Sequence, residues 1–337
     1  MVTARSTPNI ALIKYWGNRN DAYRLPAADS CSITLDTPSV EVTVEYAPTF
    51  HLQSFLPDGS EKILKEKDIA RIEEHLKLTK EFLALRTLSN AIPESVSVVI
   101  RSAIPPAIGI ASSAAVFSAL AKAYAGLAGS LADSDTSIIA RLGSGSAARS
   151  IYGGFVALAN KQMNQQANNV IDSAIAEQIA PPNHWPLHDI IIVPTMEEKK
   201  VGSTEGHHMA HTSPLFPRRI EAIFRRRQQE CIDAILTKDF ERLQAVTEED
   251  CWDMHNVMQT QTPSLQYLND ETYRITEGIE DLRTREHLPV LYTMDAGPTV
   301  HLICTEEALA TIRAFAHAQR NCTIFEAKIG EGATIAT

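Results

Sequence analysis

The chain lacks any apolar run approaching the roughly 18 residues that a membrane-spanning helix needs. Its first residues, Met1-Val2-Thr3-Ala4-Arg5, have none of the apolar core that a secretory leader carries. Cysteine is sparse: Cys31, Cys231, Cys251, Cys304 and Cys322 are scattered without a Cys-x-x-Cys pair. That pattern suits reduced, mostly structural thiols in a cytoplasmic protein. Positive charge is in deficit, with 31 Lys and Arg against 41 Asp and Glu and a formal net charge of -10. The deficit argues against a general nucleic-acid binder, and it requires any anionic substrate to be held by local cations and backbone donors. Internal repeats and low-complexity tracts are absent. What remains is ordinary globular material, 44% hydrophobic and 21% charged over 337 residues, enough for two domains or one large one.

Along the chain, residues 1–16 begin as loop and run into Asn9-Ile10-Ala11-Leu12-Ile13-Lys14-Tyr15-Trp16-Gly17. A Lys in such an apolar stretch is rarely buried alone, so Lys14 must face water, a carboxylate or a ligand. Leu25 to Leu35 enters a strand, and the alternation in Val40–Tyr46 and His51–Phe55 reads as antiparallel strands joined by turns. Lys67–Leu85 has helical periodicity, Val96–Ile100 is a strand, and Ala114–Ala125 is an Ala-rich helix. Residues 161–188 are polar and Pro-rich and read as a domain boundary. Asp189–Val193 is a buried strand, followed by a loop from Glu197 to Thr212. Pro217–Leu236, Glu241–Gln259, Asn269–Arg285 and Glu307–Gln319 are helices, and Cys322–Ile329 closes as a strand. The arginines of the first of these, Arg218, Arg219, Arg225, Arg226 and Arg227, read as a solvated or subunit-contact face.

Four stretches carry chemistry. In Tyr292-Thr293-Met294-Asp295-Ala296-Gly297-Pro298-Thr299-Val300-His301, one carboxylate stands at a Gly-Pro turn between two strands, where backbone can approach a ligand closely. In Ile104-Pro105-Pro106-Ala107-Ile108-Gly109-Ile110-Ala111-Ser112-Ser113-Ala114, a loop opens a helix with hydroxyls and free N–H groups. The residues alone leave open whether that end seats a phosphate or only caps a core helix. Gly143-Ser144-Gly145-Ser146-Ala147-Ala148-Arg149 is either a cradle for a carboxylate or phosphate, or a flexible turn with a surface Arg. The 197–212 loop holds Lys199, Lys200, Ser203, Thr204, His207, His208 and His211; with no Cys or carboxylate at ligand spacing, its histidines do not make a zinc pattern.

Together, NIALIKYWGNRN, PPAIGIASSAA and YTMDAGPTVHL resemble the three motifs of the GHMP kinase superfamily. GSGSAARSIYGGF, STEGH and LQYLN extend the likeness, nearly end to end, to the mevalonate diphosphate decarboxylase branch. The Ser-Gly turn carries no acid, and the acid sits in the third motif at Asp295, as in decarboxylases rather than ordinary small-molecule kinases. The resemblance implies an α+β (α/β sandwich) GHMP kinase fold. Its two parts would be a ribosomal-protein-S5-domain-2-like domain over residues 1–186 and a ferredoxin-like domain over 187–337, with the site in the cleft. It also implies a homodimer, ATP and Mg2+, and a small-molecule substrate.

By the same resemblance Asp295, Lys14, Arg149 and Asn9 are catalytic. Asp295 would orient or deprotonate a hindered hydroxyl, and Arg149, oriented by Asn9, would clamp a carboxylate. Tyr15, Asn18, Ser144, Ser146, Ser203, Thr204 and His207 would join Arg149 on the substrate. Pro106, Gly109, Ile110, Ala111, Ser112, Ser113, Ala114 and Lys200 would hold ATP, with Mg2+ carried on the nucleotide and Ser113 as a protein contact. Two departures from the family pattern bear on the substrate. Asn18 replaces a Lys that contacts a diphosphate tail, and Ala28-Asp29 replaces an Asn-Ser pair. Both favour a shorter tail, so the expected reaction is decarboxylation of mevalonate 5-phosphate to isopentenyl phosphate. Mevalonate 5-diphosphate giving isopentenyl diphosphate is the alternative, and a 3-kinase that stops before decarboxylation is a further one. A ligand-sensing protein without catalysis stands outside this class.

Overall fold

A computed structural model describes residues 1–86, 93, 95–104, 112–129, 131–160, 170–194 and 201–336. The chain runs β1 (Val2–Ser6), β2 (Asn9–Ile13), β3 (Asn18–Asn20), β4 (Leu25–Pro26), β5 (Ser30–Thr34), β6 (Val40–Tyr46), β7 (His51–Phe55), α1 (Glu66–Leu85), β8 (Val96–Ser102), α2 (Ser112–Leu127), α3 (Asp133–Gly143) and a 3-10 turn over Gly145–Ile151. It continues with β9 (Phe155–Asn160), β10 (Ala174–Ala180), β11 (Leu187–Val193), α4 (Ser203–Met209), α5 (Phe216–Ala222), a π-helical turn over Ile223–Arg227, α6 (Gln228–Thr237), α7 (Phe240–Thr260), α8 (Asp270–Glu286), β12 (Val290–Thr293), β13 (Val300–Thr305), α9 (Glu306–His317), β14 (Thr323–Lys328) and β15 (Thr334–Ile335).

The strands form sheets in the orders β15-β1-β6-β8-β7, β10-β9-β5-β2 and β12-β13-β11-β14, with β3 and β4 as a ribbon. This is a mixed α+β architecture, as expected. Three local expectations fail. The chain opens in a strand rather than a loop, because Val2–Ser6 pairs with β6 on one side and β15 on the other. β6 and β7 do not form a hairpin: β8 inserts between them, antiparallel to β6 and parallel to β7. Alternation shows a strand and its buried face, but not its partner. Within the stretch read as a loop, Ser203–Met209 is helical, with Gly206 against the Trp16 ring. β10 lies inside the polar Pro-rich stretch and pairs with β9.

The principal core joins the first two sheets to α1, α2 and α3 and continues into β11 and α6. The alanines of α2 are small enough to bring its backbone close to β1 and β6, and Ser118, buried in that contact, bonds Ser6 Oγ at 2.7 Å. A second cluster packs α8 and α9 on the β12-β13-β11-β14 sheet. A third gathers Trp16, Phe216, Met254, Val257, Met258 and Leu265 beside the site described next. Among the described residues no helix is long and apolar enough to cross a membrane.

Candidate active site

Lys14 stands one residue beyond β2, and Asp295 two residues beyond β12. Their side chains meet, Lys14 Nζ to Asp295 Oδ1, at 2.7 Å; the Lys14 side chain is 1% exposed and that of Asp295 27%. A wholly buried ammonium on a partly exposed carboxylate is an asymmetric pair. Burial by itself would raise the Asp295 pKa, but the Lys14 charge and hydrogen bond, with His301 and Arg149, bring it below the usual carboxylate range. Asp295 is therefore an anion ready to accept a hydrogen bond from a hydroxyl.

Arg149 lies on the 3-10 turn and is 1% exposed, so the surface-Arg reading is wrong. Its Nε donates to Ser32 Oγ at 2.9 Å, its Nη1 to Ser30 Oγ at 2.7 Å and its Nη2 to Asn9 Oδ1 at 3.1 Å. Asn9 Nδ2 in turn donates to Ser146 O at 3.0 Å and Ser150 Oγ at 2.7 Å. Burial pushes the Arg149 pKa down to about 10, while the field of Asp295 opposes the fall. Hydroxyls and an amide satisfy the fork without neutralising it, so the positive charge remains available to an anionic ligand. Ser30 and Ser32 were missed by motif reading. Their spacing of two in β5, which puts both on one face, was the available signal.

A second chain of hydroxyls crosses to the helix start. Ser113 Oγ lies 3.1 Å from Ser144 Oγ, which lies 3.4 Å from Ser146 Oγ. Ser112 is exposed at the N-terminus of α2, and Ala114 is buried behind it. The expected nucleotide contacts at Pro106, Gly109, Ile110, Ala111 and Lys200 lie outside the described residues.

Tyr15 packs so closely on Gly145 that a Cβ there would stand 2.3 Å from its ring. Burial holds its phenol well above the ordinary value, against the fields of Arg24, Arg141 and Arg149. The hydroxyl donates to Asn18 Oδ1, and Asn18 Nδ2 donates to Asp21 Oδ1 at 2.8 Å. His207 Nδ1 accepts from the Gly17 N–H at 2.9 Å, and the ring lies tilted against both Tyr15 and Trp16, its centroid 4.4 and 4.5 Å from theirs. Burial pushes its pKa down to about 3, so His207 offers a neutral Nε2–H rather than a charge. Ser203 and Thr204 are exposed at the start of α4.

The structure thus brings Asn9, Lys14, Tyr15, Asn18, Ser144, Ser146, Arg149, His207 and Asp295 into linked networks from four separate stretches of chain. It adds residues that no motif marked. Arg219 and Arg227 turn inward from the helical arginine run, and both reach Asp250, which is fully buried. The expected solvated face therefore holds only in part.

The residues match the diphosphomevalonate decarboxylase-like N-terminal domain over 6–169 and the mevalonate 5-diphosphate decarboxylase C-terminal domain over 189–331. The chain belongs to the mevalonate diphosphate decarboxylase family. This decarboxylase is 35% identical over 322 residues to the diphosphomevalonate decarboxylase of Rattus norvegicus, covering 92% of its own length and 78% of the rat protein. It superposes on the crystal structure of mevalonate diphosphate decarboxylase from Staphylococcus aureus with a TM-score of 0.87 at 30% identity, over 100% of this chain and 98% of that one. For the mevalonate diphosphate decarboxylase from Enterococcus faecalis the figures are 0.83 and 28%, over 99% and 98%. A further similar structure is MDDEF in complex with MVAPP, AMPPCP and magnesium, at 0.85 and 30% over 99% and 98%.

These relatives are named for the diphosphate, which overturns the expectation of a 5-phosphate substrate. The local geometry shows where that expectation went astray. Asp29 bears on the tail only if its carboxylate points there, and its Oδ1 instead accepts from the Asn160 N–H at 2.7 Å and from Asn160 Nδ2 at 3.1 Å. The decarboxylase also carries a cation the motif reading did not count: Arg24, in the turn joining β3 to β4, whose field acts on the Tyr15 hydroxyl.

Proposed function

We propose that this decarboxylase uses ATP to convert mevalonate 5-diphosphate to isopentenyl diphosphate, ADP, phosphate and CO2. The observation that carries the reading is the pair of a buried Lys14 and a partly exposed Asp295 standing in the field of the un-neutralised Arg149. Asp295 accepts a hydrogen bond from the 3-hydroxyl and takes its proton as that oxygen attacks the terminal phosphorus of ATP and ADP leaves. Arg149 clamps the substrate carboxylate. The C3–O bond then breaks with phosphate departing. The electrons of the bond to the carboxylate carbon become the new double bond, and CO2 is released. Lys14 supports the charge that develops on the phosphoryl oxygens.

The hydroxyls of Ser112 and Ser113 and the positive end of α2 fit a polyphosphate. Magnesium would be carried on the nucleotide, where it would neutralise phosphate charge, and Ser113 is the residue that would contact it. We take residues 1–186 and 187–337 as the two domains of a GHMP fold, ribosomal-protein-S5-domain-2-like and ferredoxin-like, and the active form as a cytoplasmic homodimer. The test is a panel of mevalonate, its 5-phosphate and its 5-diphosphate, each assayed for ADP and CO2. Equal yields of ADP and CO2, fastest from the diphosphate, are expected; ATP turnover without CO2 would leave only a kinase. Asp295→Asn should cost at least about 100-fold in kcat while nucleotide binding persists.

A further inference from the structure

We propose that one turn of α7 is the mount that sets the Lys14–Asp295 pair, with Asp250 and Cys251 as positioning residues. The inference rests on the role given to that pair above. Lys14 and Met294 are each the first residue past the end of a strand, β2 and β12, and these strands belong to different sheets. Both have left their ladders, so their backbone polar groups need other partners.

Consecutive, fully buried residues of α7 supply them. Asp250 Oδ2 accepts from the Lys14 N–H at 2.7 Å. Arg219 Nη2 donates both to that same Oδ2, at 2.9 Å, and to the Lys14 carbonyl, at 3.1 Å. On the other side, Cys251 Sγ accepts from the Met294 N–H at 3.2 Å and donates to the Met294 carbonyl at 3.5 Å. A single turn of α7 thus holds the Lys14 N–H and both the N–H and the C=O of Met294, and Arg219 of α5, itself bonded to Asp250, holds the Lys14 C=O. Asp250 is itself fixed by Arg219 Nη1 on its carbonyl at 3.0 Å and Arg227 Nη1 on Oδ1 at 3.3 Å. The spacing of the two backbone segments that carry the ammonium and the carboxylate is therefore set at α7, with Arg219 bridging to Asp250, and a displacement on the order of 1 Å in such a pair is enough to cost about 100-fold in rate.

The experiment is a double-mutant cycle in kcat between Asp250→Asn and Lys14→Arg. Asp250→Asn alone should lower kcat about 10- to 100-fold, with both KM values within about threefold of wild type. In the Lys14→Arg background the same substitution should change kcat by less than about threefold, because the group it positions is already altered. A merely structural Asp250 gives multiplying effects, and that result, or a rise in KM at constant kcat, overturns the proposal. If Asp250→Asn does not fold, Cys251→Ala carries the cycle. It removes both bonds to Met294 with little change in volume, and the same non-additivity is required of it. A wild-type kcat for Lys14→Arg would instead overturn the role of the pair itself, and this inference with it.

Discussion

At the scale of residues, the site turns on a Lys whose surroundings forbid it to stand alone. Lys14 follows Ile10, Leu12 and Ile13, all buried, and its side chain is buried with them. An unpaired ammonium there would lose its hydration with nothing in return. That it must meet water, a carboxylate or a ligand was legible in the sequence; that its partner is the carboxylate of Asp295, 281 residues away, was not. The pairing predicts a pH effect. With Lys14 present, Asp295 titrates below the usual carboxylate range. Lys14→Gln removes the largest opposing charge and leaves burial, which favours the protonated acid, so Asp295 takes up its proton at higher pH. The acidic limb of kcat against pH should move upward in the variant. Coincident limbs for wild type and Lys14→Gln would mean that Lys14 does not set the charge of Asp295.

Elements were legible where local chemistry decides them. The Asn269 that ends Leu265-Gln266-Tyr267-Leu268-Asn269 caps α8: its Oδ1 accepts from the Thr272 N–H at 2.9 Å, and Thr272 reciprocates in a capping box. Asn269→Ala should cost about 0.5–2 kcal/mol in unfolding free energy, read from urea denaturation, with kcat little changed. A cost near zero would show that Thr272 Oγ1, which also reaches the Pro298 carbonyl at 2.9 Å, holds the helix start by itself. The misread elements were those decided from outside. Ser203–Met209 is polar and histidine-rich, and it is held as a helix on Trp16 through Gly206 and the His207–Gly17 bond. Partner contacts there outweigh a weak local preference.

Across the whole molecule, burial leaves histidines uncharged and so ties stability to pH. His75, on α1, is 1% exposed and bonded to the Ile139 carbonyl of α3; burial pushes its pKa down to about 4. His255 on α7 is 2% exposed and pushed down to about 3, chiefly by burial. Their pKa values are depressed in the folded state, so between the ordinary histidine value and these the unfolded chain binds protons that the folded chain refuses. Stability is then fully present above about pH 6.5 and falls as the pH drops, by up to about 1.4 kcal/mol per pH unit for each residue. The urea midpoint should decline between pH 7.5 and pH 5, and His75→Gln should lessen that decline. An equal decline in His75→Gln would assign it to other groups.

The sequence by itself determined most strands and helices, the three motif stretches, the acid in the last of them and the membership these motifs imply, because each rests on neighbours within a few residues. Through the family resemblance it also placed Arg149 and Asn9 in one catalytic set with Asp295. Only the tertiary structure decided that Arg149 is a buried cation held by Ser30, Ser32 and Asn9, that Asp29 is pinned by Asn160, and that α7 grips both ends of the Lys14–Asp295 pair. The physical reason is the same in each case. A charge or a hydrogen-bonding group takes its character from whatever lies within about 3 Å of it, and at these positions that is chain from distant parts of the sequence.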